Sequence, residues 1–566
     1  IELDEPDHPL RLRAIVIEAL EQAASQGHTL LRADILATAV AELPLSRTVT
    51  VDAATLELCE EEFAGEIDVC EYEGQPYAQL MRFAQAGNVI RAHIEARLKH
   101  ASANSLDWAK LVTTEFGAPA LDDKDEKAAQ SEKVAALGIL ERSRIAILTG
   151  AAGTGKTTLL KILLGQPDVV GRDILLLAPT GKARVRLGQQ TGRPEQARTL
   201  AQFLNEFGRY DGATGRYLVS EVGDTASVTT CVVDECSMLT EEQMASLCSV
   251  LPKSARLILV GDPQQLPPIG AGRPFVDVIK HLEGEDGHGL ARLTVSRRQA
   301  GDTGEGDATS GKLVPALSLP DVQLGNLFAG KPLPPGEDAI ISNAATPGDS
   351  ERLKFREWTS PADLRELIID VLVEELDSDR STLEHDVELS LGGFEKDGRV
   401  YFNAGCGKTA EGWQILSAHR NMASGAAEIN RLIKSTVRAE RLAAAQRWGR
   451  GWKMIPPRGS DQITYGDKVM CLRNHSRKRW NREDGQQNGY LANGEVGIVN
   501  GDTGSGKLYW TKVEFASQPR ESYSFKPGDF ADEGSPYLEL AYAVTVHKAQ
   551  GSEFGKLRLI VGIGYR

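Results

Sequence analysis

Residues 150–157 read Gly-Ala-Ala-Gly-Thr-Gly-Lys-Thr, which matches the pattern G-x-x-x-x-G-K-[ST] at every position. The apolar residues 145–149 before this stretch predict a buried strand, and residues 158–164 after it predict a helix. Between a strand and a helix, the backbone N–H groups of a glycine-rich loop bind phosphate. Lys156 is expected to contact the β- and γ-phosphates of a nucleoside triphosphate, and Thr157 to bind Mg²⁺. The stretch therefore predicts an α/β fold with a nucleotide site; the alternative is a turn that binds nothing.

The composition is that of a soluble globular protein. The 566 residues are 41% hydrophobic and 25% charged, which predicts about three to five domains. The net charge of -15 indicates no protein-wide basic field, so a nucleic-acid site would have to be a local groove. Seven cysteines without a C-x-x-C pair argue against a zinc module or a disulfide framework and favour a reducing, cytoplasmic location. No apolar run is long enough to cross a bilayer, and no signal-peptide pattern is present.

Two acids and two further polar side chains follow later strands. The apolar run 230–233 ends in Asp234 and Glu235. Hydrolysis requires one acid that holds Mg²⁺ and one that orients the attacking water, and these two residues fit those roles in that order. Gln265 follows the next apolar run and could sense the γ-phosphate, while Arg298 could stabilise charge in the transition state. The alternative for the two acids is an ordinary surface turn.

Three stretches are candidates for contact with nucleic acid. Thr180, Gly181 and Lys182 follow the strand 174–178, and their donors suit phosphodiester oxygens; the alternative is a helix cap with a solvated lysine. Residues 207–219 have the turn residues of an exposed hairpin. Residues 473–482 combine five basic side chains with Trp480. This composition fits a contact with a single strand and a solvated loop equally well.

The rest of the chain predicts three further regions. Residues 9–99 read as a mostly helical module with a strand pair of winged-helix type. Such a strand pair indicates nucleic-acid binding only weakly, and a module that braces the nucleotide-binding domain is as good an interpretation. Alternating hydrophobicity from about residue 465 to 538 predicts a small β-barrel. Residues 405–409 and 504–508 are P-loop decoys, because the first lacks the leading glycine and the second the threonine.

Six motifs occur in a fixed order: GAAGTGKTT, APTGKAR, VVDECSM, LVGDPQQLPP, RRQ and AYAVTVHKAQGSEF. Together they resemble the superfamily-1B helicases, and closely the RecD family of DNA helicases, over residues 130–554. The resemblance implies an α/β fold with two RecA-like P-loop motor domains, an N-terminal helical, winged-helix-like module and an inserted small SH3-like β-barrel. The predicted boundaries are residues 1–105 for the N-terminal module, 106–300 for the first motor domain, 301–411 for a linker or insertion of unknown role, 412–474 with 537–566 for the second motor domain, and 475–536 for the insert.

The resemblance also assigns roles to single residues. Gln130 would bind the adenine of ATP, and Gln265 and Arg298 would contact its γ-phosphate. The hairpin 207–219 takes the place of the strand-separating pin, and the SH3-like insert takes the place of a domain that helps hold the strand. Contacts to the DNA backbone are implied for Thr180, Gly181, Lys182, Thr545 and His547. The implied nucleotide-binding residues are Gly150, Gly153, Thr154, Gly155, Lys156, Thr157, Thr158, Gln550, Gly551 and Glu553.

The implied function is ATP-dependent and Mg²⁺-dependent 5′→3′ movement on single-stranded DNA, with strand separation at single-strand/double-strand junctions. Two alternatives stay open: an RNA or RNA–DNA translocase, and an ATP-gated DNA-binding scaffold that does not unwind. The family's last motif, a strand followed by Thr-Arg, is expected after Val561. Residues 562–566 read Gly-Ile-Gly-Tyr-Arg and do not contain this Thr-Arg pair. Loss of such an arginine costs roughly 10³- to 10⁵-fold in rate. The pathway (DNA repair, recombination or phage defence) and a protein partner for 301–411 or the N-terminal module also stay open.

Overall fold

The computed structural model describes residues 8–99, 106–119, 124–151, 153–212, 214–220, 222–294, 320–328, 354, 356–448, 456–483, 485–503, 510–530, 536–552 and 554–560. The chain divides into two compact units. The first unit comprises Ile1–Pro179 with Arg186–Ala316, and the second comprises Thr180–Val185 with Leu317–Arg566.

The first unit begins with five helices and a small antiparallel sheet. The helices are α1 Pro9–Ser25, α2 Ala33–Ala41, α3 Ala53–Leu58, α4 Glu60–Phe63 and α5 Met81–Leu98. The strands, in the spatial order β1-β3-β2, are β1 Leu31–Arg32, β2 Ile67–Tyr72 and β3 Gln75–Leu80. Helix α1 buries Leu12, Val16 and Leu20, whose spacing places them on one face. Most of residues 8–99 are helical, and the assignment of an N-terminal helical, winged-helix-like module stays a prediction.

A six-stranded sheet forms the centre of the first unit, and every neighbouring pair of strands is parallel. Its strands are β4 Ile145–Gly150, β5 Ile174–Ala178, β6 Ala197–Thr199, β9 Thr230–Val233, β10 Arg256–Gly261 and β11 Leu290–Leu293, in the spatial order β11-β4-β10-β9-β5-β6. A separate hairpin pairs β7 Tyr210–Asp211 with β8 Arg216–Tyr217. The helices are α6 Trp108–Phe116, α7 Lys124–Arg142, α8 Lys156–Leu164, α9 Pro167–Val170, α10 Gly181–Thr191, α11 Leu200–Glu206, α12 Glu241–Val250 and α13 Pro274–Gly284.

The strands of this sheet are apolar on both sides because helices cover both faces. In β4, Ile145 and Ile147 pack on one face, together with side chains from α5 and α12. Ala146 and Leu148 pack on the other face with side chains from α7 and α8. The predicted RecA-like P-loop fold with a parallel sheet is confirmed for this unit. Helix α5, placed by the sequence in a separate N-terminal module, belongs to the layer that covers the sheet.

The second unit contains a parallel and an antiparallel sheet. Its parallel sheet has three strands among the described residues, β14 Trp413–Ser417, β22 Ala543–Thr545 and β23 Lys556–Ile560, in the order β22-β14-β23. A hairpin pairs β12 Gly393–Lys396 with β13 Arg399–Phe402. The helices are α14 Pro320–Phe328, α15 Pro361–Glu375, α16 Leu383–Ser390, α17 Ala426–Leu432, α18 Ala439–Trp448 and α19 Val546–Ala549, with a π-helical turn at Ile433–Val437.

The antiparallel sheet of the second unit has seven strands and extends beyond the predicted insert 475–536. Its strands are β15 Lys468–Cys471, β16 His475–Asn481, β17 Gly485–Leu491, β18 Val496–Thr503, β19 Trp510–Phe515, β20 Ser522–Phe525 and β21 Leu538–Leu540, in the order β17-β16-β20-β19-β18-β15-β21. Strand β15 falls within the alternating region 465–538, but the predicted bounds assigned it, like β21, to the second motor domain. That this sheet is an SH3-like barrel stays a prediction.

A buried ion network joins α16 to the rest of the second unit. The fully buried Arg438 guanidinium donates to Glu388 of α16 and lies 3.4 Å from Asp467. Asp467 also accepts hydrogen bonds from Lys434 and, at 2.8 Å, from the Tyr542 hydroxyl. Buried charges of this kind require partners on every side. Residues 383–390, which the sequence placed in a linker of unknown role, are therefore an integral part of the second unit.

All seven cysteines are unpaired. Among the described helices, none combines the length and the apolar character that a bilayer-spanning segment needs.

Candidate functional site

The glycine-rich stretch 150–157 connects β4 to α8 in the first unit. Gly153 and Gly155 have φ angles of 84° and 90°, a left-handed conformation that favours glycine. A Cβ atom on Gly150 would lie 2.8 Å from the backbone oxygen of Leu293, so a larger residue would not fit there. The backbone therefore makes a tight turn that ends at the N-terminus of a helix, which is the geometry of an anion site.

Lys156 is the first residue of α8, and its ammonium group points back to the loop. The Nζ atom donates hydrogen bonds to backbone oxygens of the loop, including that of Ala151 at 3.1 Å. Burial lowers the pKa of Lys156, while Asp262, Glu235 and Asp234 act in the opposite direction. Three carboxylates from two other strand ends therefore face this cation across the carboxyl edge of the sheet.

Asp234 and Glu235 follow β9, two strands away from the P-loop strand. The backbone N–H of Asp234 donates to Leu177 of β5 at 2.9 Å, and Asp234 Oδ1 accepts the N–H of Glu235 at 3.0 Å. Glu235 has a φ of 54°, a strained conformation for a non-glycine residue. Burial raises the pKa of both acids, and the charge of Asp234 raises that of Glu235 further. A carboxylate with a raised pKa is a better proton acceptor near neutral pH.

Gln265 follows β10, the strand between the P-loop strand and β9. Its backbone N–H donates to Asp262 at 3.1 Å, and its side-chain oxygen lies 3.4 Å from the Ser237 hydroxyl. Ser237 is in the turn directly after Glu235, so the ends of β9 and β10 are linked. The structure thus brings Lys156, Asp234, Glu235 and Gln265 to one edge of one sheet. Arg298 lies outside the described residues, and its role stays a prediction.

The sequence drew attention to Gln130 but not to Lys133, one turn further along α7. The Gln130 amide donates to Gly117 at 2.9 Å and to Glu126 at 2.7 Å. Lys133 is 1% exposed, and its Cε atom lies 3.4 Å from where a Cβ atom on Gly155 would be. Residues three apart share a helix face, and that spacing was the available signal. The adenine contact of Gln130 stays a prediction.

Arg186 of α10 is a second residue that sequence reasoning missed. Burial raises the pKa of Asp234 and Glu235, and Arg186 is among the cations that oppose this shift. It therefore adds positive charge beside the two acids. The sequence did not indicate this role, because Arg186 and Lys182 both read as ordinary exposed positions of a helix.

Thr180, Gly181 and Lys182 lie in the short stretch that belongs to the second unit. The Thr180 hydroxyl accepts the N–H of Ala183 at 3.2 Å and so caps α10. Lys182 forms an ion pair with Glu411 and is only partly exposed. These contacts match the cap that the sequence left as an alternative, and contact with DNA stays a prediction for all three residues.

Thr545, His547, Gln550 and Gly551 surround the short helix α19 in the second unit. The Thr545 hydroxyl accepts the N–H of Lys548 at 3.4 Å, and the Gln550 N–H donates to His547 at 3.2 Å. Gly551 has a φ of 74°, which favours glycine. Glu553 lies outside the described residues. The structure therefore brings four of the predicted residues together, and their roles toward DNA and ATP stay predictions.

The basic stretch 473–482 is divided by strand β16 into two sets. Arg477 and Arg479 point to the packed side, where they form ion pairs with Asp529 and Glu521. Alternate positions carry the exposed side chains Ser476, Lys478 and Trp480. Trp480 is 48% exposed. The solvent-facing part of this strand is therefore one cation beside one aromatic ring, a smaller surface than the sequence suggested.

Thr157 and Asp234 are the residues predicted to hold Mg²⁺. Within the described ranges, no group of three or more His, Cys, Asp or Glu side chains could hold a metal ion. Mg²⁺ in phosphate-transfer sites takes only one or two protein ligands, because the phosphates and water supply the others. The hydroxyl of Thr157 in the first turn of α8 and the carboxylate of Asp234 fit that requirement.

Comparison with known proteins finds relatives that share the part of the chain around this site. A family model described as an AAA domain matches residues 127–312. The RecD2 DNA helicase of Deinococcus radiodurans is 32% identical over 277 residues, 48% of this chain and 36% of the relative. The RecBCD subunit RecD of Mycobacterium tuberculosis is 34% identical over 194 residues, 30% of this chain and 34% of the relative. An uncharacterized protein of Methanocaldococcus jannaschii is 27% identical over 496 residues, 84% of this chain and 39% of the relative.

The chain thus spans well under half the length of these three relatives. The matches to RecD2 and RecD, the AAA-domain match that includes the P-loop, and the parallel sheet around it agree with one another. Over the part of the chain that contains the P-loop, the protein is therefore similar to RecD-like DNA helicases.

Proposed function

We propose that the protein is an ATP-dependent DNA helicase that moves 5′→3′ on single-stranded DNA. The observation that carries the proposal is the convergence of Lys156, Asp234, Glu235 and Gln265 at the carboxyl edge of one parallel sheet. A partly buried lysine at a helix N-terminus, beside two acids and an amide, is the set of groups that phosphoryl transfer to water requires. The relationship to RecD2 supports DNA as the polymer.

Each of these residues has a separate task in the proposed reaction. The P-loop backbone and Lys156 bind and orient the triphosphate, and Mg²⁺, when bound beside Thr157 and Asp234, supplies charge neutralisation. Glu235 positions the attacking water and accepts its proton, for which its raised pKa is suited. Gln265, joined to Ser237 behind Glu235, detects the loss of the γ-phosphate. Hydrolysis is thereby linked to movement of the β9 and β10 loops.

Strand separation is assigned to the hairpin β7–β8. The rings of Tyr210 and Tyr217 lie 4.8 Å apart at its base and pack against the core of the first unit. Among the described residues, 211–212 and 214–216 lie beyond this anchor. The structure therefore allows the tip to be removed without disturbing the core, whereas deletion of all of 207–219 would remove core contacts.

We expect that replacing residues 211–216 with Asn-Gly slows strand displacement but not ATP hydrolysis. Loss of a wedge that opens one base step, worth about 1.4 kcal/mol, predicts at least roughly tenfold slower displacement. The test uses duplexes with a 5′ or a 3′ single-stranded tail of DNA or RNA, and ATP hydrolysis is measured in parallel. Displacement only from 3′ tails, or only on RNA, would contradict the proposal. Hydrolysis by the unchanged protein without any displacement would favour the scaffold alternative.

A second prediction concerns the exposed face of β16. Stacking of a base on Trp480 is worth about 1 to 3 kcal/mol, so Trp480→Ala is expected to raise the Kd for single-stranded DNA roughly 5- to 150-fold. The measurement is fluorescence anisotropy with a labelled oligonucleotide. Phe394→Ala is the matched control, because Phe394 is an aromatic residue that is 39% exposed on the hairpin β12–β13 of the second unit. Equal affinity of the Trp480 variant and the unchanged protein would remove this strand from the binding surface.

A further inference from the structure

Helix α5 is shared by two hydrophobic cores of the first unit. Near its start, Phe83 packs in the N-terminal core beside Leu20 of α1. From the next turn onward, Ala86, Ile90 and Ile94 pack in the core under the parallel sheet. One continuous helix therefore transmits any movement of the N-terminal region directly to the helical layer that covers the sheet.

Helix α12, the neighbour of α5 in that layer, contacts each of the moving parts in the proposed reaction. It begins shortly after Glu235, separated by one 3₁₀ turn. The N–H of Glu241, its first residue, donates to Ala271 in the loop that follows Gln265, at 3.0 Å. Further along, the Ser246 hydroxyl donates to Leu218 at the end of the hairpin, at 3.1 Å. Helix α12 thus lies between the nucleotide-binding edge and the hairpin.

The N-terminal region also holds the loop after Gln265. Ala271 is 7% exposed because it is inserted in the N-terminal core. The N–H of Gly272 donates to the backbone oxygen of Gly27, at 3.1 Å. Gly272 has a φ of 87°, and a Cβ atom there would lie 2.6 Å from the Glu241 carboxylate. This close approach fixes the loop between α12 and the N-terminal region.

Arg82, at the start of α5, joins three elements through its guanidinium group. It donates to Glu21 of α1, with one hydrogen bond of 2.7 Å, and lies 3.2 Å from Glu242 of α12. Burial raises the pKa of Glu242, while Arg82 and then Arg216 of the hairpin act in the opposite direction. Charges of the N-terminal region, α12 and the hairpin therefore interact within one cluster.

We propose that Arg82 is a positioning residue that ties α12 to the N-terminal region, so that the nucleotide-driven movement of the β9 and β10 loops reaches the hairpin. This inference rests on the proposed helicase function and deepens it. Without the tie, α12 can shift on the sheet while the hairpin stays in place. ATP is then still hydrolysed, but fewer base pairs open for each ATP.

The experiment compares Arg82→Glu, Glu242→Arg and the double exchange with the unchanged full chain. Base pairs opened per ATP are measured on a 5′-tailed duplex, and kcat and KM for ATP are measured on single-stranded DNA. We expect each single change to lower the base pairs opened per ATP at least about fivefold, with kcat on single-stranded DNA changed less than about twofold. The double exchange is made together with Glu21→Gln, because Glu21 is the other partner of Arg82 and would repel a glutamate at that position. It restores the Glu–Arg pair with α12 and is expected to recover most of the loss.

Two comparisons keep the result interpretable. Arg32→Glu reverses an ion pair of similar exposure, with Asp34 at 2.6 Å, that does not touch α12, and it is expected to change nothing. Arg82→Lys retains the charge and is expected to retain most of the coupling, which a variant that merely unfolds would not do. Equal losses of hydrolysis and unwinding, absence of any loss, or failure of the double exchange to recover would overturn the proposal. The unchanged chain tests the helicase function separately, because it must open the 5′-tailed duplex first.

Discussion

Lys156→Ala is expected to lower kcat for ATP hydrolysis by about 10³-fold or more, because it removes the cation that meets the developing charge on the phosphates. Lys156 is partly buried, and Asp262, Glu235 and Asp234 offset the effect of that burial on its pKa. Its removal leaves three carboxylates with less positive charge to balance them. Phosphate release at saturating ATP and single-stranded DNA measures the effect.

A control on the same helix separates charge at this site from charge in general. Lys161 is half-exposed on α8 and pairs with Glu115 at 2.6 Å. Lys161→Ala is expected to leave kcat within about twofold, since exposed ion pairs contribute little. DNA-stimulated hydrolysis that survives intact in the Lys156 variant would disprove the nucleotide site as we describe it.

Glu235→Gln is expected to retain ATP binding while kcat falls about 10²- to 10⁴-fold, because glutamine keeps the shape of the side chain but cannot accept a proton. In the unchanged protein, burial and the neighbouring Asp234 raise the pKa of Glu235. Activity requires the ionised form, so kcat is expected to fall as the pH drops through that raised pKa. The variant is expected to lose this acidic limb of the pH profile along with its activity.

Single-turnover hydrolysis and binding of a fluorescent ATP analogue distinguish the two effects. Glu283→Gln provides the comparison, because Glu283 is half-exposed on α13 and pairs with Arg292. Normal hydrolysis by the Glu235 variant would transfer the role of proton acceptor to another residue. Loss of nucleotide binding in that variant would show that Glu235 shapes the loop instead.

The nucleotide-binding edge could be predicted from the sequence because each part is local. The P-loop pattern, every apolar strand and the pair of acids after β9 are each a short continuous stretch of sequence, and parallel strands place their carboxyl ends together. The geometry of Glu235 could not be predicted, because its left-handed backbone depends on what surrounds it. Lys133 was missed for a similar reason, since only the packed structure brings it beside Gly155.

Long-range partners explain the other differences. The sequence treated Arg477 and Arg479 as one basic surface, but Asp529 and Glu521, more than forty residues away, hold both on the packed side of β16. The predicted bounds assigned strand β15 to the second motor domain, but it pairs with β18 and β21 of the antiparallel sheet. In each case the deciding contact comes from a distant segment, which local periodicity does not report.

The double membership of α5 bears on how proteins of this type could be divided or recombined. A fragment that starts after α5 would expose to water the apolar surface that Ala86, Ile90 and Ile94 cover. It would also lack the N-terminal core in which Ala271 is buried. A fragment that starts at α5 would keep Phe83 but would lack the N-terminal core in which this side chain packs. The N-terminal region therefore cannot be exchanged as an independent domain. Substitutions in it and in the first-unit sheet layer are constrained by the core contacts that they share.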